Sequence, residues 1–180
     1  MYDFTFAAGD RAELWGQVIE AADMLTAGEA DGIANMANVA ALLWLALPDL
    51  NWAGFYRHVG GELVLGPFQG KPACLRIAIG KGVCGTTAAT LRAQRVDDVH
   101  AFPGHIACDA ASASELVVPI VQDDRLIGVL DLDSPRPGRF EASDEAGCVE
   151  LARRIAGRLT SCGQSVVTAA RATGPCGPAR

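Results

Sequence analysis

The residues best suited to chemistry are three cysteines in the middle of the chain, Cys74, Cys84 and Cys108, separated by nine and 23 residues. A thiol can ligate a metal, attack an electrophile or simply pack. Common zinc sites place two ligands two to four residues apart, which these cysteines do not; His100 and His105 would have to complete any such site. Packing is the ordinary fate of a free cysteine, and Cys148, inside an apolar segment, reads that way. Cys162 and Cys176 lie in a Gly- and Pro-rich end with no evident partner. Cys84 and Cys108 read differently. Cys84 follows Gly80-Lys81-Gly82 at the expected start of a helix, where unpaired N–H groups favour an anion, so a stabilised thiolate is expected. Cys108 falls in a long loop beside His105 and Asp109. Two thiols within reach allow one to become a sulfenic acid and the other to capture it as a disulfide. Spacing alone does not show that they meet.

A second group is acidic. Glu115, Asp131 and Asp133 fall on two expected strands, and Asp131 and Asp133, two apart, project to the same side of theirs. They are either solvated strand ends or a carboxylate cluster facing one pocket; crowding in a cluster would raise their pKa values. Trp52, in another expected strand, is either core or the wall of such a pocket.

These residues need elements to position them. Apolar spacing predicts a helix over 10–27, with Leu14, Val18, Ala21, Ala22 and Leu25 on one face. A second helix is expected over 30–47, with Ile33, Met36, Ala37, Ala40, Leu43, Trp44 and Leu47 inward and Pro48 as its stop. Strands are expected at 51–58, 62–65 and 74–79, the first two joined by Gly60-Gly61. A short helix over 83–92 precedes an aperiodic stretch, 95–113, that reads as a functional loop. Strands at 116–121 and 126–132 flank a turn at 122–125. The last helix, 143–160, starts with Ser143 as N-cap and Asp144 and Glu145 in its first turn, and buries Val149, Leu151, Ala152, Ile155 and Leu159. Helices at the ends of a mostly antiparallel sheet make an α+β fold. A single domain over 1–160 is expected, with a mobile tail over 161–180.

Composition narrows the function. The net charge of −6, without like-charge runs, argues against nucleic acid. No apolar stretch approaches the roughly 20 residues of a membrane span. Met1-Tyr2-Asp3-Phe4 does not begin a secretory signal, so a cytoplasmic protein is expected.

Several segments resemble the free methionine-R-sulfoxide reductases, a GAF-domain family. They are Trp52-Ala53-Gly54-Phe55-Tyr56, Gly66-Pro67-Phe68-Gln69-Gly70-Lys71-Pro72-Ala73-Cys74 and Gly80-Lys81-Gly82-Val83-Cys84-Gly85. The long signature Asp98-Val99-His100-Ala101-Phe102-Pro103-Gly104-His105-Ile106-Ala107-Cys108-Asp109 is the most specific. Ser112-Ala113-Ser114-Glu115-Leu116-Val117-Val118-Pro119 and Gly128-Val129-Leu130-Asp131-Leu132-Asp133-Ser134 complete it, over about residues 10–158. The resemblance implies a GAF-like fold, a central antiparallel sheet with helices on one side and a ligand pocket on the other. It implies that Cys108 attacks the sulfoxide of free methionine-R-sulfoxide, with Cys74 as resolving thiol, Cys84 as an accessory one and a thioredoxin-type protein as reductant. Trp52 would hold the methyl group, Asp133 the sulfoxide oxygen, and Glu115 and Asp131 the ammonium. Backbone N–H groups of 106–113 would meet the carboxylate. No cofactor and no metal are implied. Apolar helices at both ends of the chain allow a homodimer. The alternative is a GAF-type ligand or redox sensor without turnover.

Overall fold

The structure, a computed structural model, describes residues 4–7, 9–104 and 110–160. Cys108, His105, Cys162, Cys176 and the 161–180 tail lie outside the described residues.

Helix α1, Arg11–Thr26, opens at Asp10, whose carboxylate accepts from the Glu13 N–H at 2.8 Å while the Glu13 carboxylate accepts from the Asp10 N–H at 3.1 Å. Helix α2, Gly32–Ala46, is capped by Asp31, which accepts from the N–H groups of Ile33 and Ala34. Strands β1 (Trp52–Val59) and β2 (Glu62–Gly70) form a hairpin through Gly60 and Gly61, both at positive φ. Then come β3 (Arg76–Ala78), α3 (Gly82–Thr90) and β4 (Gln94–Val96). Strands β5 (Ser114–Gln122) and β6 (Arg125–Ser134) turn through Asp123 and Asp124, and α4 (Ala142–Ile155) ends in a 3-10 turn at Ala156–Arg158. One antiparallel sheet runs β3-β2-β1-β6-β5-β4.

The sheet has two dissimilar faces. Ala53, Phe55, Leu116, Val118, Ile120, Leu130 and Leu132 point to one, where they share a core with Met36, Val39 and Leu43 of α2 and Leu151 and Ile155 of α4; α1 packs on these two helices and adds Val18 and Trp15 to the same core. The other face carries Trp52, Tyr56, Val117 and Val129, and is covered by α3 through Val83, Cys84 and Ala88. Three helices lie on one side of the sheet, and the single helix α3 is a smaller cover on the other, where a cleft remains.

Several boundaries differ from expectation. β2 runs on to Gly70 instead of stopping at Leu65 because the register slips: Tyr56 pairs with Leu65 but Gly54 with Phe68. The extra residue is a bulge at Gly66-Pro67, where a proline costs the ladder little. β3 is only Arg76–Ala78, so Cys74 sits before it in the connection. β4 occupies part of the expected loop; three residues are too few to show a period. Ser143 is not the N-cap of α4. The helix opens after Glu141, whose N–H donates to the Asp144 carboxylate at 3.0 Å.

Burial corrects three helix faces. Ile33 and Trp44 are 40% and 41% exposed, and Ala37 is exposed too, because α2 turns Val39 and Leu42 inward alongside Met36, Ala40 and Leu43. Val149 is also exposed. Trp15 is the large anchor of α1: its indole N–H donates to Asp144 at 3.0 Å. Asp144, 1% exposed, also pairs with Arg139 at 3.0 Å, so it joins α1, α4 and the β6–α4 connection. Gly147 has no side chain to obstruct this seam; a Cβ there would lie 2.2 Å from the Trp15 ring.

Candidate active site

Three neighbouring strands bring the acids together. In register, Trp52 of β1, Asp133 of β6 and Glu115 of β5 form one row, and Gly54, Asp131 and Val117 the next. Directly paired residues share a face, so Trp52, Glu115, Asp131 and Asp133 all point to the side covered by α3. The indole of Trp52 lies between two rings, stacked on Phe68 at 5.3 Å and on Tyr56 at 5.8 Å. Gly54 permits this, because a Cβ there would meet Phe68 and the end of the Trp52 ring. Trp52, Tyr56, Glu115, Asp131 and Asp133 line one open cleft, together with Cys84 and Ser112. The Trp52 Nε1 donor and the Asp131 Oδ1 acceptor are buried without a partner among the described residues.

Helix α3 lowers Cys84 into the same cleft. Its thiol donates to Asp131 Oδ2 at 3.2 Å. Burial, then the carboxylates of Asp131 and Glu115, push the Cys84 pKa well above that of an ordinary thiol. The thiolate expected from the helix start is therefore not favoured: the loss of water and two neighbouring acidic groups outweigh a partial positive charge. Burial and the charge of Asp131 likewise raise Glu115 well above the carboxylate range. Burial raises Asp131 to about 7, against the lowering effect of the Cys84 hydrogen bond. The ligand atoms of Cys84, Glu115 and Asp131 all lie within 4.8 Å of one another, a spacing that suits a divalent ion as well as a shared proton.

Of the residues singled out in the sequence, Trp52, Cys84, Glu115, Asp131 and Asp133 meet in this cleft. Cys74 is half-buried in the β2–β3 connection; its neighbour Ala73 lines the cleft. Cys108 lies outside the described residues. His100 is on the surface, in the 3-10 turn Val99–Ala101. Cys148 is fully buried against the helical face of the sheet, as expected for packing. Sequence reasoning missed Tyr56, Lys71, Lys81 and Ser112 as lining residues. Tyr56 was within reach, since it shares the two-residue period of Trp52 and Gly54. Ser112 carried no local signal.

The comparisons agree with this architecture. Residues 26–159 match the GAF domain family model. The free methionine-R-sulfoxide reductase of Escherichia coli is 50% identical over 146 residues, 81% of this chain and 88% of that protein. The chain belongs to the GAF family of free methionine-R-sulfoxide reductases. A crystallised member of this reductase family, from Neisseria meningitidis and in complex with its substrate, is 43% identical with a TM-score of 0.86, covering 92% of this chain and all of that one. A putative GAF sensor protein from Burkholderia vietnamiensis is 57% identical with a TM-score of 0.81, over 83% and 96% of the two chains. The GAF-like α+β fold expected from the reductase resemblance is thus found. Among the described residues, no helix is long and apolar enough to cross a membrane.

Proposed function

We propose that this protein reduces free L-methionine-(R)-S-oxide to methionine. The observation that carries the reading is the cleft itself: an aromatic wall at Trp52 facing buried carboxyls at Glu115, Asp131 and Asp133. The names of the relatives at 50% and 43% identity support it. Cys108 attacks the sulfoxide sulfur, methionine leaves as the thioether, and the oxygen remains on Cys108 as a sulfenic acid. Cys74 then displaces hydroxide, which leaves as water with a proton, and a disulfide forms. A thioredoxin-type dithiol takes over that disulfide and restores both thiols. The environment of Cys84 suits an accessory thiol, since it is held protonated.

The oxygen must gain a proton as the sulfur is reduced, and a positioned acid contributes about 10²- to 10⁴-fold. Asp133 takes this role. Glu115 and Asp131 receive the ammonium, which replaces their protons as the counter-charge and restores the ionised form. The methyl group rests on Trp52, whose side chain lines the cleft. Backbone N–H groups of 106–113 receive the carboxylate. The protein works in the cytoplasm, and Trp44 and Leu45, 41% and 63% exposed on α2, would form a homodimer contact readable by sedimentation.

The test is turnover with dithiothreitol on free methionine-R-sulfoxide, its S form and a peptide-bound form. Activity on the first alone is expected, and its loss in Cys108→Ser. Activity surviving that change sinks the nucleophile. Ligand binding without consumption of reductant would favour a sensor, as the name of the Burkholderia relative suggests.

A further inference from the structure

Ser112 lines the cleft, is only 5% exposed, and has been given no task. Its Oγ accepts a hydrogen bond from Asn51 Nδ2 at 3.0 Å. A hydroxyl that accepts still holds one hydrogen to donate. Among the described residues that hydrogen meets no recorded acceptor. The surroundings hold it still. The Asn51 N–H donates to the Asp133 carbonyl at 3.0 Å, and the Ala113 N–H to the Ser134 carbonyl at 2.8 Å. Both partners of the Asn51–Ser112 bond are therefore tied to the end of β6, beside the acid cluster.

We propose that Ser112 donates its hydroxyl to the carboxylate of the bound amino acid, and that Asn51 is the positioning residue that aims it. This rests on the substrate being free methionine-R-sulfoxide. A zwitterion brings one cation and one anion into the cleft. Glu115 and Asp131 suit the cation, so the anion needs donors elsewhere. A buried hydroxyl with an unused hydrogen gains most from a charged acceptor. Lys71 and Lys81 also line the cleft but are exposed, where water and salt screen their pull. In a peptide the carboxylate becomes an amide, so the contact also discriminates against peptide-bound methionine sulfoxide.

The test compares Ser112→Ala with wild type in steady-state reduction of free methionine-R-sulfoxide. It adds competitive inhibition by methionine and by 3-(methylthio)propylamine, which keeps the ammonium and thioether but has no carboxylate. Ser112→Ala should raise KM about tenfold or more, with kcat within about twofold. The Ki of methionine should rise in parallel while that of the amine stays put. Asn51→Ala should move the same quantities less, and Asn51→Ala/Ser112→Ala should be no worse than Ser112→Ala alone. An unchanged KM, or equal weakening of both inhibitors, overturns the proposal while leaving the reductase reading standing. A wild-type protein inactive on free methionine-R-sulfoxide removes both.

Discussion

The Cys84 thiol donates to the Asp131 carboxylate across 3.2 Å, with Glu115 close by. The pair explains why a cysteine at a helix start is not a ready nucleophile. Its proton is shared with an acid and its water is gone. Native protein treated with iodoacetamide near pH 8 should therefore alkylate Cys84 about tenfold or more slowly than Cys74, as peptide mass spectrometry would read. Unfolding in urea should erase the difference. Equal labelling of the two in native protein would contradict the burial and charge assigned to Cys84.

Asp131 makes stability depend on pH in an unusual direction. Its carboxyl is raised from 3.8 to about 7 in the folded protein by burial. Between those values the folded state holds a proton that the unfolded state has released. This group's contribution therefore weakens as pH rises from about 4 to 7, and stays low above. Asp131→Asn removes the titration and keeps the shape. The variant should melt above wild type at pH 8, and the gap should close toward pH 4. A gap that is constant, or that widens in acid, would mean Asp131 is ionised throughout.

Trp52 combines a wall with a donor, and two substitutions separate them. Trp52→Ala removes a side chain only 3% exposed and should cost about 3–5 kcal/mol of stability in urea unfolding. Trp52→Phe keeps most of the packing on Phe68 and loses the indole N–H. It should fold normally and lower kcat/KM about tenfold if that hydrogen reaches a substrate oxygen. Unchanged kinetics in Trp52→Phe would leave Trp52 as wall alone.

How far the site was legible depended on whether the deciding contacts are local. Asp131 and Asp133 share a face by strand period, and the register with Trp52 and Glu115 follows once the strands pair. The fate of Cys84 was not legible, because its partner Asp131 is 47 positions away and the local signal, a helix start, pointed the other way. Ser112 was missed for the same reason: its bond to Asn51 spans 61 positions. In the fold, long amphipathic segments stood out, while β4 was too short and β2 was hidden by a Gly-Pro pair that a bulge absorbs. Trp15 was legible, because it stands three and seven residues before Val18 and Ala22 on the buried face of α1; what was not legible was its bond to Asp144, 129 positions away.

That last contact gives a prediction in which two effects oppose each other. Gly147 lies in α4, and replacing a helical glycine with alanine ordinarily stabilises by about 1 kcal/mol. Here the added Cβ would lie 2.2–2.3 Å from the Trp15 ring. The indole cannot retreat freely, because its N–H is bound to Asp144, which also holds Arg139. Overpacking of this kind costs about 1–3 kcal/mol, and more where the neighbour is pinned. The clash should outweigh the propensity, so Gly147→Ala should lower the urea midpoint. The helices it separates belong to the core on the sheet face opposite the cleft, so KM for the sulfoxide should stay near wild type. A more stable Gly147→Ala variant would show that α1 slides easily over α4 and that the Trp15–Asp144 bond does not hold them in place.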